Sequence, residues 1–406
     1  MQRSDNLHFS TIGLFAISGL SFLFFLSVAG LMLLLAVSSL LGQGINAGGQ
    51  EMTLFVLFWV AGMVCVLTAP ALVLSFMQIV GRPLPSVPSF NGLQISSYLM
   101  LLWLVVLAAG AVLSRYEQVS WLLLPPLQIL AIGLPIWWLI ELGRRGLAGG
   151  GPLRKWGLLS LGMAIGPTVS FIAEIFLLIL IFILVLIWIL AQPGMADQLT
   201  RIVERLANAG KDLEVLGRIL RPVLEQPAVI VSVMLVTSGM IPLLEELIKP
   251  LPLWGLADHK LSPAEGFTAG LICGGAFALL EGLGNLANPA GSQWLVLVIG
   301  RAGTSTLHIV TTGLMGWAMA SAWQNGRFWR LGATYLLAVG IHGLWNVFGL
   351  LAGLPELINS AQANSDLTVF LRIGTLSPYV LLVLMVILFL ILLGMNSRLR
   401  QQIVSG

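Results

Sequence analysis

The chain has 406 residues, of which 58% are hydrophobic and 9% are charged, against roughly 25% charged residues in an ordinary soluble domain. This composition excludes a soluble globular protein and indicates an integral membrane protein in a lipid bilayer. The small formal net charge of +3 gives no sign of nucleic-acid binding. The two cysteines form neither a disulfide framework nor a metal-ligand spacing.

Hydropathy predicts ten transmembrane helices, each with the roughly 20 apolar residues that a crossing needs. The predicted spans are residues 11–42, 52–80, 95–113, 120–141, 156–192, 228–257, 262–287, 292–323, 328–353 and 374–395. The fifth is long for one helix, and Gly162, Gly166 and Pro167 are expected to break it. The predicted fold class is therefore all-α, a polytopic transmembrane helical bundle of about ten spans.

The positive residues predict the orientation, because Lys and Arg favour cytoplasmic loops. With ten spans, the loops on one side of the membrane hold most of the Lys and Arg residues, including Arg144 and Arg145. The short loops on the other side hold only Arg115 and Arg372. Both termini are therefore expected to be cytoplasmic. The first apolar run is longer than a signal-peptide core of about 7–15 residues, so we expect it to be retained as a span.

A polar stretch, residues 193–227, interrupts the spans in the middle of the chain. Apolar residues recur there at helical spacing in two groups, Leu199, Ile202, Val203 and Leu206, then Leu213, Leu216, Ile219, Leu220 and Val223. We predict two short amphipathic helices, packed on the membrane surface or on the protein. They are either a structural cap or an element that gates access of substrate.

Four spans of the second half contain ionisable side chains within apolar sequence. These are Glu245, Glu246 and Lys249 in the sixth span, Glu281 in the seventh, His308 in the eighth and His342 in the ninth. A charge in hydrocarbon costs at least ~2.5–3.5 kcal/mol on insertion scales, so such residues are functional candidates. Carboxylates and imidazoles also serve hydrolytic enzymes as general bases and metal ligands.

Spacing allows these side chains to lie at one depth in the membrane. His308 and His342 are each 17 residues from Asn325, which with Gly326 is the expected turn between two antiparallel helices. Glu245 precedes Lys249 by four residues, the favourable order for an ion pair on one helix face.

Several of the polar residues have an alternative, purely structural role. Glu281 can pair with Arg301, because both lie 7–12 residues from the predicted Asn288-Pro289 turn and can therefore share a depth in the membrane. Asn346 shares a helix face with His342, where it can orient the imidazole or donate to an oxyanion. Small residues near the predicted site are expected to let a neighbouring backbone approach closely; they are Gly270, Gly274, Gly275 and Ala278.

The motifs Glu245-Glu246-x-x-Lys249, Phe277-x-x-x-Glu281, His308 and His342-Gly-Leu-Trp-Asn346 together resemble the PrsW family of intramembrane proteases. More distantly they resemble the CAAX prenyl endopeptidase and Abi superfamily, in which Arg and His occupy the places of Lys249 and Glu281. The resemblance covers about residues 228–350. It implies a site in the core of a helical bundle, and hydrolysis of a peptide bond in a membrane-protein or peptide substrate.

The resemblance also predicts organisation and location. It divides the chain into an N-terminal transmembrane region (1–192), an amphipathic connector (193–227), a catalytic transmembrane core (228–353) and a C-terminal span with a basic tail (354–406). It implies the plasma (inner) membrane of a prokaryote. The sequence leaves the substrate, the oligomeric state and the role of the first five spans open.

The resemblance assigns each polar residue a role in this hypothesis. Glu245 or Glu246 activates a water as general base, and Lys249 tunes that pair. Glu281, His308 and His342 bind a metal, for which zinc is suitable, or polarise the scissile carbonyl; a metal-free glutamate mechanism stays open. Two other classes are also open: a proton-coupled secondary transporter that uses intramembrane Glu and His, and an inactive protease-like membrane scaffold.

Overall fold

The structure, a computed structural model, describes residues 2–42, 51–85, 91–191, 195–209, 215, 227–257, 261–286, 293–357 and 365–405. These residues form helices and no strand. The α-helices are α1 (Gln2–Leu40), α2 (Glu51–Ile79), α3 (Gly92–Leu113), α4 (Glu117–Gly143), α5 (Pro152–Ala164), α6 (Gly166–Leu190), α7 (Met195–Ala209), α8 (Pro227–Leu235), α9 (Ile241–Ile248), α10 (Leu251–Trp254), α11 (Pro263–Asn285), α12 (Trp294–Asn325), α13 (Phe328–Leu357) and α14 (Ser365–Ser405). A π-helical stretch, Val236–Met240, joins α8 to α9.

Ten helical segments among the described residues are long and apolar enough to cross a membrane. They confirm the predicted fold class and make the chain an integral membrane protein; the cytoplasmic placement of the termini stays a prediction. The expected break in the fifth span is also confirmed, because α5 ends at Ala164 and α6 begins at Gly166. Pro167 follows at once, and its ring and missing N–H favour a break at this point.

The predicted turn after Asn325 is confirmed. Helix α12 ends at Asn325, and Gly326 follows in the left-handed conformation with φ of 66°, which glycine adopts without steric cost. The first predicted amphipathic helix is also found, as α7 (Met195–Ala209). The second, and the Asn288-Pro289 turn, lie outside the described residues except for residue 215.

The chain divides into two compact units, and the predicted site residues are distributed over both. Unit 1 consists of Met1–Thr168, Glu246–Ala338 and Met385–Gly406, and unit 2 consists of Val169–Glu245 and Val339–Leu384. The division falls between the consecutive residues Glu245 and Glu246.

In unit 1, helix α11 is the central element. It packs against α4, α5 and α12, and 89% of the residues in its most apolar stretch are buried. It begins with a capping box, in which the Ser262 hydroxyl accepts from the backbone N–H of Glu265 and the Glu265 carboxylate accepts from that of Ser262. This burial means that a polar residue on α11 needs partners within the protein.

Glycines at every fourth position of α11 bring α12 unusually close, as the sequence predicted. A Cβ placed on Gly270 would lie 2.2 Å from the carbonyl oxygen of Thr312, and one on Gly274 would lie 2.3 Å from that of His308. Gly266 faces the Gly316 carbonyl in the same way. Such close backbone approach is how transmembrane helices pack without larger side chains between them, and here it fixes the depth of His308.

This packing predicts a large difference between two glycines of α11. We expect Gly274→Ala to lower the free energy of unfolding by about 1–3 kcal/mol, because the new methyl group forces α12 away. Gly284→Ala is the matched control, since no atom of the described part of the chain lies within 4 Å of a Cβ at Gly284. Thermal and denaturant unfolding in detergent micelles measures both; equal effects would contradict the close packing.

Candidate active site

Unit 1 joins four of the predicted residues, and a fifth ionisable residue, in one chain of polar contacts. Lys249 Nζ lies 2.8 Å from Glu246 Oε1 and 2.7 Å from His308 Nδ1. His308 Nε2 lies 2.7 Å from Glu281 Oε2, and Glu281 Oε1 lies 2.8 Å from Arg301 Nη2. The predicted ion pair between Glu281 and Arg301 is therefore confirmed, and it forms part of the cluster rather than an alternative to it. We call these five residues the unit 1 cluster.

The side chains of the unit 1 cluster are fully buried at one end and partly exposed at the other. The side chains of Glu246 and Lys249 are 0% exposed and that of His308 is 1% exposed. Those of Arg301 and Glu281 are 18% and 28% exposed. The positive and negative charges alternate along the cluster, as buried charges require.

Local structure explains how Lys249 reaches both of its partners. Helix α9 ends at Ile248, so Lys249 lies in the turn that follows it. Its ammonium pairs with Glu246, three residues earlier. The i,i+4 pair with Glu245 that the sequence suggested stays a prediction.

An aromatic ring completes the surroundings of this lysine. Phe277 lies one helical turn before Glu281 on α11, and its ring packs edge-on against His308 with centroids 5.3 Å apart. Lys249 Nζ lies 4.9 Å from the centroid of the same ring, within the range of a cation–π contact. The Phe277-x-x-x-Glu281 spacing therefore places an aromatic ring and a carboxylate on the same histidine.

The contacts of His308 determine which of its nitrogens carries the proton. An ammonium has only donors, so Nδ1 must accept from Lys249. The proton of the neutral ring is then on Nε2, which lies 2.7 Å from Glu281 Oε2. The contact with Lys249 at Nδ1 therefore favours one tautomer of His308.

Unit 2 brings Glu245 and His342 together. Glu245 Oε2 lies 3.8 Å from His342 Nε2, and both residues are buried. Helix α13 is fixed against the π-helical stretch next to them, because a Cβ on Gly343 would lie 2.3 Å from the Ser238 carbonyl oxygen. Asn346 Nδ2 also donates to the Thr237 carbonyl oxygen at 2.8 Å.

The Asn346 contact gives this residue a structural function next to its predicted catalytic one. A π-helical turn shifts the hydrogen-bond pattern of a helix and is frequent at functional sites. Asn346 donates to a carbonyl of that turn and thereby holds His342, one helical turn away, in register with it. The sequence placed Asn346 correctly on the face of His342, but it gave no sign of the π-helical turn.

The donor atoms of unit 2 fit two positions of a zinc site. Two ligands at 2.0–2.2 Å from a tetrahedral zinc lie about 3.3 Å apart, close to the 3.8 Å between Glu245 Oε2 and His342 Nε2. In unit 1, Glu281 Oε2 and His308 Nε2 lie 2.7 Å apart, which is a hydrogen-bond distance and shorter than the separation of two zinc ligands. The ligand set predicted from the sequence, Glu281, His308 and His342, draws on both units and stays a prediction.

Comparison with known protein families supports the same region as functional. Residues 213–392 match the family model described as PrsW family intramembrane metalloprotease. The match includes every predicted site residue and confirms the resemblance found in the sequence motifs. No curated protein and no solved structure matches the chain.

Proposed function

We propose that the chain is an intramembrane protease that hydrolyses a peptide bond in a membrane-protein substrate, using a water activated at Glu245. The observation that supports this most strongly is the unit 1 cluster, buried in spans that fall within the PrsW match. Buried charges in a membrane are costly. A cluster of carboxylates, imidazole and ammonium is therefore more readily explained by a reaction than by stability.

Exposure and pairing favour Glu245 over Glu246 as the water-activating residue. Glu246 is fully buried and its carboxylate is in an ion pair with Lys249, which makes it a fixed charge rather than a proton acceptor. The Glu245 side chain keeps 11% of its surface exposed and lies beside His342. A general base must be within reach of the water from which it takes a proton, and only Glu245 of the two meets that condition.

His308 is our candidate for polarising the scissile carbonyl. Lys249 contacts Nδ1, so that Nε2 carries the proton, and Glu281 Oε2 lies 2.7 Å from Nε2. A substrate carbonyl can compete for the same proton as negative charge develops on its oxygen, since donors aimed at that charge stabilise the transition state. Arg301 then keeps Glu281 neutralised by an ion pair at 2.8 Å.

Zinc is the cofactor that the family description and the donor set both suggest. Glu245 and His342 would be two of its ligands in unit 2. Bound zinc supplies a Lewis acid that lowers the pKa of its water to about 7. In the metal-free form of the reaction, Glu245 takes the proton from the water itself, so the carboxylate is required in both.

Metal analysis distinguishes the two forms. We expect the chain, purified without a histidine tag, to carry about one zinc ion, and His342→Ala to lose most of it, because one ligand is missing. Elemental analysis by mass spectrometry measures the zinc content, and His8→Ala serves as the matched control. Cleavage by zinc-free wild-type protein would contradict the zinc site and leave the reaction to Glu245 alone.

A comparison of membrane proteomes tests the proposed function and identifies the substrate at the same time. Cells expressing the wild-type chain are expected to contain new N-termini in one or a few membrane proteins, which are missing with His308→Gln. His8→Gln is the control for expression and handling. Identical sets of N-termini in wild-type and His308→Gln cells would overturn the assignment of the site.

A further inference from the structure

Two cavities of unit 1 are lined by residues that do not belong to the candidate active site. Each has a volume of about 480 Å³, and Gly146 lines both. The first lies where α3 begins and α4 ends, with Arg144 and Arg145 in its wall. The second lies beside the last turns of α14, with Arg400 in its wall. We call them the basic cavities.

The basic cavities carry more positive than negative charge. Among the residues that the structure describes, their walls contain three guanidinium groups and a single carboxylate, Glu141, which pairs with Arg144. Among the described residues, Arg144 Nε is buried and has no hydrogen-bond acceptor. An anion with several oxygens would complete this set of donors, and guanidinium groups suit phosphate because they can bind two of its oxygens.

The basic cavities are also rigid. Asn396 of α14 is buried, and its amide donates to the carbonyl oxygens of Gly143 and Arg145, each at 2.8 Å. These two bonds fasten the end of α4 to α14, one turn before Arg400. The arginines therefore project from a fixed backbone, which lowers the entropy lost when a ligand binds.

The basic cavities lie at the level of lipid headgroups. The candidate spans Gly92–Leu113, Leu122–Gly143 and Thr368–Val404 all begin or end at residues of their walls or next to them. Lipid phosphates lie at this boundary, just outside the hydrocarbon core. Apolar side chains, Leu93, Ile403 and Val404, stand beside the arginines in the walls and can contact the glycerol and first acyl carbons of a lipid.

We propose that the basic cavities bind a phosphate group, and that its source is the headgroup of an anionic phospholipid. Basic pockets between transmembrane helices are known to suit such headgroups. The proposal is independent of the proteolytic function, because no wall residue belongs to the candidate active site. Free inorganic phosphate offers the same chemistry, and the experiment separates the two sources.

The full chain in phosphatidylcholine nanodiscs is titrated with short-chain phosphatidylglycerol, and the bound lipid is counted by native mass spectrometry. We expect Arg145→Gln with Arg400→Gln to raise the apparent Kd about thirtyfold, since each arginine contributes roughly fivefold. The control, Arg115→Gln with Arg372→Gln, removes the same charge from exposed arginines elsewhere and is expected to change the Kd less than about twofold.

A second titration uses inorganic phosphate as competitor. We expect millimolar phosphate to leave lipid binding unchanged, which assigns the basic cavities to phospholipid. Competition that disappears in the Arg145→Gln and Arg400→Gln variant supports the phosphate site and assigns it to soluble phosphate. Equal lipid affinity of the two double variants, both with the melting temperature of wild type, would overturn the proposal.

Discussion

Replacing Lys249 with methionine is expected to lower the free energy of unfolding by about 3–5 kcal/mol, the usual cost of leaving one partner of a buried ion pair uncompensated. Lys249 and Glu246 are both 0% exposed, so no water can replace the lost ammonium. His308 loses the donor at Nδ1 in the same variant. Denaturant unfolding in detergent micelles measures the effect.

Two further variants show whether the uncompensated charge is the cause. Adding Glu246→Gln to Lys249→Met is expected to recover most of the lost stability, because it removes the buried charge that has no partner. Lys155→Met, which makes the same change at a partly exposed lysine, is expected to cost less than about 1 kcal/mol. If the double variant is no more stable than Lys249→Met, the ion pair is not what holds this part of unit 1 together.

Replacing Glu245 with glutamine is expected to lower kcat/KM by about 10²–10⁴, the contribution of a well-placed general base. The amide keeps the shape of the side chain but can neither take a proton nor act as an anionic metal ligand. Melting temperature should stay close to that of wild type, because the Glu246–Lys249 pair is retained. Cleavage of the membrane protein found by N-terminal proteomics gives kcat/KM.

The matched control for this variant is Glu174→Gln, the same change at another glutamate in a candidate span. The Glu174 carboxylate accepts a hydrogen bond from the Ser170 hydroxyl at 2.8 Å, which the amide oxygen can keep. We expect its kcat/KM to stay within about threefold of wild type. Equal losses in Glu245→Gln and Glu174→Gln would mean that general damage, and not the loss of a base, explains both.

Several features of the fold could be predicted because single physical rules determine them. Hydropathy and length are sufficient for ten spans, and Gly166-Pro167 favours a break in the fifth because proline has no N–H for the helical hydrogen bond and its ring crowds the preceding turn. The Glu281–Arg301 pair follows from the cost of an isolated charge in the membrane. Close approach of α12 follows from the spacing of small residues on α11.

The details of the candidate site depend on local departures from regular helix, which the sequence does not reveal. Helix α9 ends at Ile248, and Lys249 in the following turn pairs with the third preceding residue, Glu246. The π-helical stretch Val236–Met240 provides the carbonyl to which Asn346 donates. Helical periodicity alone gives the face of a residue, and each departure rotates the residues that follow it.

The two adjacent glutamates show why such details matter for function. Successive side chains of a helix point about 100° apart, so Glu245 and Glu246 have different partners: His342 in unit 2 and Lys249 in unit 1. One carboxylate is a fixed charge in our proposal, and the other activates water. In this proposal the Glu-Glu motif combines a structural and a chemical role in consecutive residues.

Peptide-bond hydrolysis at Glu245 is tested most directly by cleavage in water enriched in oxygen-18, with purified chain and substrate in nanodiscs. We expect the wild-type chain and Glu174→Gln to produce a new C-terminal carboxylate that contains one heavy oxygen, while Glu245→Gln produces almost none in the same time. Cleavage by Glu245→Gln at the wild-type rate, or products without heavy oxygen, would contradict a water activated at this glutamate.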